Sequence, residues 1–187
     1  MSEDPRPDED GAAQAEPGKA APPPRRAHHR RSARLAAVQA LFQVAERGLD
    51  AQAVVDEFRS HRLNDADVEE GQPDLSNTDK RHFAAIVLGA SIRAAEIDAL
   101  IDAVLPDSWP RHRLDPVVRA ILRAGCFELL ARDDVPTRSV VDEYVSLARA
   151  FLGGGGDLGF VNANLDALAR RVRPQDFAPG HADAASR

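Results

Sequence analysis

Apolar residues recur every three or four positions through most of this 187-residue chain. A representative stripe is formed by Leu35, Val38, Leu41, Phe42 and Ala45. That period is typical of amphipathic helices, and no run of alternating β-branched residues competes with it. Helices with one apolar face bury it against other helices. The pattern therefore predicts an all-α fold built from packed bundles.

Breakers and cap residues set the expected helix ends. The predicted helices cover about residues 32–47, 51–61 and 78–101, with a fourth opening at 115–116, a fifth running from 136–137 to the glycine run 153–156, and a sixth carrying residues 161–172. Asp115 followed by Pro116 is an especially informative start, because an N-cap acceptor precedes a proline at the first helical position. Residues 64–77 are acidic, contain glycine and proline, and are expected to form a loop.

The N-terminal segment differs in composition from the rest. Residues 1–28 are rich in Glu, Asp, Pro, Ala and Gly and offer little apolar surface, so we expect a disordered acidic tail. They contain no apolar run typical of a secretory signal. No stretch reaches the roughly 20 apolar residues that span a bilayer. The single cysteine, Cys126, excludes an internal disulfide. These features predict a cytoplasmic protein with no membrane partner.

The net charge of −6 hides a local basic block. Residues 25–34 contain five arginines and two histidines and no acid. Guanidinium groups bind phosphates with a planar fork and can stack on bases. The block is either a solvated charge run or an anion-binding arm that precedes the first helix.

No catalytic or cofactor site is predicted. The six histidines lack metal-ligand spacing with other donors, and the four-glycine run lacks the Lys-Ser/Thr pair of a phosphate loop. Cys126 lies among small and apolar residues and is expected in the core. We therefore expect neither an enzyme nor a bound metal or cofactor.

Four segments in register resemble the family of the bacterial transcription antitermination factor NusB. They are RRSARLAAVQALF at 30–42, RAILRAGCFEL at 119–129, DVPTRSVVDEY at 134–144 and FVNANLD at 160–166. Their order and spacing agree with the family from about residue 25 to residue 174. One such segment is a weak signal, whereas four together are specific.

The resemblance implies a fold of two packed three-helix bundles. It places the N-terminal bundle at 29–104 and the C-terminal bundle at 105–174, with a flexible tail at 175–187. It also implies that the protein, together with ribosomal protein NusE, binds the single-stranded boxA element of nascent ribosomal RNA. This assembly acts with RNA polymerase to promote read-through of terminators. Some family members form homodimers, so a second copy is a further partner that the resemblance allows.

The resemblance also assigns residues. The RNA-binding candidates are Arg26, Arg30, Arg31, Arg34, Gln39, Phe42, Asp157, Phe160 and Asn162. The candidates for binding the partner protein are Arg119, Arg123 and Glu128, on the polar side of the fourth helix.

Each of these residues also has a structural interpretation. Phe42 and Phe160 are either stacking platforms for bases or core residues. Asn162 either contacts RNA or caps its own helix, and the polar residues of the fourth helix suit an ordinary solvated face.

Two other functions fit a helical, locally basic chain. One is a helical module that assists maturation or modification of ribosomal RNA, as precedes the catalytic part of some cytosine methyltransferases. Only about fifteen polar residues follow residue 172, which disfavours an attached catalytic domain. The other is a helix-turn-helix DNA-binding protein, but no segment combines clustered basic and polar residues as a recognition helix does.

Overall fold

The structure, a computed structural model, describes residues 25–63, 75–153 and 156–178. Within these ranges the chain forms α-helices and short helical turns and no strand, which confirms the predicted all-α class. The helices are α1 (Arg25–Arg47), α2 (Ala51–Glu57), α3 (Lys80–Ile92), α4 (Ala94–Asp102), α5 (Pro116–Ala131), α6 (Thr137–Leu152) and α7 (Gly156–Val172). Short turns add a π-helical Phe58–Arg62 and the 3-10 helices Arg111–Arg113 and Pro174–Phe177. None of the described helices has both the length and the apolarity needed to cross a membrane.

Helix α1 occupies the centre of the molecule. It packs against α2, α3 and α5; α3 also packs against α5, and α5, α6 and α7 pack against one another. Four alanines of α1, Ala33, Ala36, Ala37 and Ala40, are completely buried. Their small side chains let neighbouring helices approach α1 closely. The buried apolar residues form one continuous core, and the division at residue 104 stays a prediction.

The predicted N-terminal boundary is wrong by at least four residues. Helix α1 begins at Arg25, so the arginines before Ser32 belong to the helix and are not a flexible arm. Arginine has a high helix propensity, and the Asp79 N–H donates to the carbonyl of His29 at 3.1 Å, which fixes this turn to the start of α3. Residues 1–24 lie outside the described part.

The predicted C-terminal tail also begins too early. Residues 174–177 form a 3-10 helix, and the Arg170 guanidinium lies 4.4 Å from the ring centroid of Phe177. Arg173 is buried and donates to the carbonyls of Leu129 and Arg132 at 2.7 and 2.8 Å. It thereby satisfies acceptors at the end of α5 that have no partner within their own helix. Residues 179–187 lie outside the described part.

The long third helix of the sequence prediction is two helices. Its backbone leaves the α conformation at Arg93 (φ −96°, ψ 19°), and α4 starts anew at Ala94. Ser91 donates its hydroxyl to the carbonyl of Val87 at 2.8 Å, a bond that commonly bends helices. Arg93 then holds Glu96 by two hydrogen bonds of 2.7 and 2.8 Å, which fastens the new helix start.

Other helix ends agree with their cap chemistry. The Asp115 carboxylate accepts from the Val117 N–H at 2.7 Å, which confirms the predicted start of α5. Helix α6 ends at Gly153, whose φ of +70° suits glycine. The predicted second helix continues as α2 and the π-helical turn, and buries Val54, Val55 and Phe58 as expected. Of the predicted loop at 64–77, residues 75–77 are non-helical and 64–74 lie outside the described part.

Candidate nucleic-acid interface

One line of exposed and half-buried side chains runs along α1. Arg31, Leu35, Gln39 and Phe42 are spaced four, four and three residues apart, so they share one face of the helix. Arg31 is exposed and donates to the Ser146 hydroxyl of α6 at 2.9 Å. Phe42 is 36% exposed. At 1.5 Å per residue, Phe42 lies about 16 Å beyond Arg31. We call this line the α1 stripe.

The α1 stripe ends in a groove of about 300 Å³, the Phe42 groove. Its lining residues are Val38, Gln39, Phe42, Gln43, Arg47, Arg62, Val117 and Phe151. Two aromatic rings, two amides and two guanidinium groups therefore converge on one small depression. The exposure of Phe42 shows that this ring is not part of the closed core.

Arg34, one of the predicted RNA-binding residues, does not project into solvent. Only 4% of the Arg34 surface is exposed, and the Arg34 Nε donates a hydrogen bond of 2.6 Å to Oε2 of Glu128. Glu128 is completely buried, so its predicted place on a solvated partner-binding face is also wrong. Both residues point to the interior because they interrupt apolar faces of α1 and α5 that pack against each other. A phosphate could reach Arg34 only after that ion pair had broken.

The Glu128 carboxylate is stabilised in its charged form. Burial by itself raises its pKa, but the neighbouring His82 ring and the hydrogen-bonded Arg34 guanidinium outweigh burial and lower the pKa to about 2. The His82 Nε2 lies 3.0 Å from the carboxylate. Arg132 lies 2.9 Å from the His82 Nδ1. The His82 ring therefore lies between the Glu128 carboxylate and the Arg132 guanidinium.

A surface arm extends this buried network towards the basic end of α1. Arg132 binds Asp134 through two bonds of 2.8 and 2.9 Å, and these bonds lower the pKa of Asp134 to about 2. Asp134 in turn lies 4.0 Å from a nitrogen of Arg30, which is half-exposed. Sequence reasoning missed His82 and Arg132. The available signal was the presence of Arg34 and Glu128 inside apolar stripes, since buried charges require partners.

Arg119 and Arg123 lie together in a groove of about 580 Å³ beside the connector before α5. Arg123 binds Asp98 through two bonds of 2.7 Å, and Arg119 binds Glu46. The structure thus brings two of the predicted partner-binding residues together and leaves Glu128 inside the protein. The roles of Arg119 and Arg123 stay predictions.

The remaining candidates lie on or near α7. Phe160 is half-buried, and its ring centroid is 5.6 Å from that of the half-exposed Trp109. Asn162 is exposed, and because α7 begins at Gly156 it is an interior helix residue and not a cap. The side chains of Arg26 and Asp157 lie outside the described part, although both residues belong to helices.

Comparison with known proteins decides the family. The model of the NusB family matches residues 31–170. The chain belongs to the NusB family. A relative from Maricaulis maris, called transcription antitermination protein NusB, is 47% identical over 160 residues, covering 85% of this chain and 97% of the relative. A protein of the same name from Sphingopyxis alaskensis is 45% identical over 149 residues, 80% of this chain and 97% of the relative.

Solved structures agree with this NusB-family fold. The NusB structure from T. maritima has a TM-score of 0.61 and 29% identity, covering 79% of this chain and 96% of that one. A chain from the complex of antitermination factors NusB and NusE with double-stranded RNA has a TM-score of 0.60 and 22% identity, covering 77% of this chain and 98% of that one. The latter likeness is one of fold alone.

Proposed function

We propose that this NusB-family protein is an RNA-binding transcription antitermination factor. With ribosomal protein NusE it binds the single-stranded boxA element of nascent ribosomal RNA in the cytoplasm, and there it helps RNA polymerase to read through terminators. It acts as a binding protein, without catalysis or cofactor. The observation that carries the proposal is the α1 stripe, which places an exposed cation, a half-buried amide and an exposed aromatic ring on one helix face within the matched family region.

The stripe has the chemistry that an unpaired strand needs. Cations neutralise phosphates without regard to sequence, while rings stack on bases and amides bind base edges. Arg31 is bonded to a neutral hydroxyl and Arg30 lies 4.0 Å from an exposed carboxylate, so both can exchange these contacts for a phosphate at small cost. Arg26 is one turn before Arg30 on the same helix.

The groove that holds Arg119 and Arg123 is the proposed NusE surface. Arg111 also lies there, at 3.2 Å from Asp98 and 3.1 Å from Asp102. These ion pairs are partly accessible to solvent, so a partner with matching charges can compete for their charged groups. The name of the NusB–NusE–RNA complex supports NusE as the partner.

A binding measurement tests the proposal directly. Fluorescence anisotropy compares labelled boxA RNA, a scrambled strand of equal composition, duplex RNA and duplex DNA, each with and without NusE. We expect tighter binding of boxA RNA than of the scrambled strand, with a further gain when NusE is present. Equal binding of boxA and scrambled RNA under both conditions contradicts the proposal, and a preference for duplex DNA favours the helix-turn-helix alternative.

Removal of three arginines from the first turns of α1 tests the phosphate-binding part of the site. In the triple variant Arg26→Ala, Arg30→Ala and Arg31→Ala, the slope of log affinity against log salt should fall in magnitude by about 2, at about 0.7 per lost phosphate contact. Arg34 is left intact because its loss would leave a buried charge unpaired. The matched control removes the exposed Arg138, Arg170 and Arg171 and should keep the wild-type slope. An unchanged slope in the first variant removes these arginines from the interface.

A further inference from the structure

We propose that the Phe42 groove is a pocket for one unpaired nucleobase. In this assignment Gln43 binds the edge of the base, while Arg47 and Arg62 hold the neighbouring phosphates. The inference rests on the proposed function and extends it from a general RNA surface to a specificity-determining site.

The walls of the groove suit a flat aromatic ligand. Phe42 is partly exposed on one side, and the half-buried Phe151 of α6 lies on another. The apolar side chains of Val38 and Val117 complete the lining. A base that enters this space stacks on a ring and removes apolar surface from water, a contact that commonly contributes about 1–3 kcal/mol. The volume of about 300 Å³ lies at the lower end of the range for small-ligand pockets.

Gln43 supplies an unmet hydrogen-bonding group. Its Oε1 is buried and has no hydrogen-bond partner within the described part of the chain. Leaving a buried acceptor unpaired is unfavourable, so an N–H group that reaches it gains affinity. The N–H groups on the edge of a base are such donors. Gln39 is one helical turn before Gln43 and lines the same groove, which places two amides beside one base.

Two cations, Arg47 and Arg62, lie at the rim of the groove. Among the described residues, neither Arg47 nor Arg62 forms an ion pair. The carboxylate next to Arg47, Glu46, is held by Arg119. The Arg62 guanidinium lies 4.7 Å from the ring centroid of Phe58, a cation–π contact that orients it without using its N–H groups. Both arginines are therefore available to phosphates on either side of an inserted base.

The groove is continuous with the α1 stripe. Gln39 and Phe42 belong to both, so a strand bound at Arg31 reaches the groove by following α1. This continuity identifies an RNA strand as the occupant, since the stripe leads phosphate-binding cations to the rim and the groove supplies a ring.

The test measures binding of boxA RNA and of a set in which each base is replaced in turn. In Gln43→Leu, the ratio of the affinity for boxA RNA to the affinity for the strand with a replaced base should fall by about tenfold at one position. The slope of log affinity against log salt should stay unchanged. In the double variant Arg47→Ala and Arg62→Ala, all strands should bind more weakly and the slope should fall by about 1.4. Gln52→Leu on α2 and the double variant Arg170→Ala and Arg171→Ala are the matched controls and should behave as wild type.

A second measurement uses the wild-type protein and does not depend on the folding of any variant. The fluorescent base 2-aminopurine is placed at each position of boxA RNA in turn. Its fluorescence should be quenched at the single position where the base stacks on Phe42. Quenching at no position, or unchanged discrimination and slope in both groove variants, overturns the pocket.

The outcomes for the two proposals are separable. If wild-type protein prefers boxA RNA and the groove variants match it, the pocket alone fails. If boxA and scrambled RNA bind equally but the groove variants weaken both, antitermination specificity fails and the pocket stands. Absence of binding to every single-stranded RNA overturns both.

Discussion

Glu128 is a completely buried carboxylate that the protein keeps charged. Arg34 reaches it from α1 and His82 from α3, so one anion joins three helices. Removing either partner of a buried ion pair leaves an uncompensated charge and strongly destabilises a protein. This explains why Arg34, although it lies in the basic block, contributes to the fold and not to a charged surface.

The stability of the protein should depend on the charge of Glu128. Its pKa of about 2 lies below the ordinary value of 4.5, so its contribution is fully present above about pH 4.5 and is lost as the pH falls through 2. The lost free energy is on the order of 3 kcal/mol. Urea unfolding between pH 6 and pH 2.5 measures it, with Glu128→Gln as the reference variant.

The comparison with Glu128→Gln isolates this group from other acids. Asp134, whose pKa is also lowered, is present in both proteins and cancels. The advantage of the wild type should be largest near neutral pH and should shrink as the pH falls below about 4.5. A difference that stays constant over this range would mean that Glu128 is not held as a carboxylate.

At the level of elements, α3 crosses α5 at a point where only glycine fits. A Cβ built on Gly89 would lie 2.1 Å from Cζ of Phe127, a distance that carbon atoms do not tolerate. In Gly89→Ala the ring of Phe127 has to move within a packed core, and we expect a loss of about 1–3 kcal/mol in unfolding free energy. Thermal or urea denaturation of the two proteins gives this difference.

Gly159 in α7 is the matched control. A Cβ there would meet no atom within 4 Å, and the φ of this residue is not positive. Gly159→Ala should therefore be neutral or stabilise the protein by up to about 1 kcal/mol, because alanine has the higher helix propensity. If Gly89→Ala changes the unfolding free energy no more than Gly159→Ala does, the α3–α5 crossing does not restrict the side chain at position 89.

The helix ends show which elements the sequence could predict. The start of α5 was predictable because Asp115 and Pro116 encode it locally, through a cap bond and a fixed φ. The break at Arg93 was not, because no glycine or proline marks it and the apolar spacing continues across it.

The candidate site was likewise predictable only in part. The spacing of Arg31, Gln39 and Phe42 on one helix was readable, whereas the groove needs Arg62 and Phe151 from distant segments.

On the scale of the whole molecule, α1 connects two groups of helices: α2 and α3, which follow it in the chain, and the C-terminal α5, α6 and α7. It packs extensively on α3 and on α5, and the buried ion pair of Arg34 with Glu128 crosses from one group to the other. The α1 stripe therefore lies on a helix that packs against both α3 and α5. Its packing against both helices limits how far α1 can move when a ligand binds along it.

This shared core predicts that the protein unfolds as one unit. Trp109, the only tryptophan, lies on Phe160 of α7 and reports on the C-terminal helices, whereas far-ultraviolet circular dichroism reports on all helices. Urea curves from the two probes should coincide, because neither group keeps its buried surface once α1 has left. In Arg34→Met, the midpoint of both curves should fall together. A tryptophan transition separated from the dichroism transition would show instead that the C-terminal helices fold independently of α1.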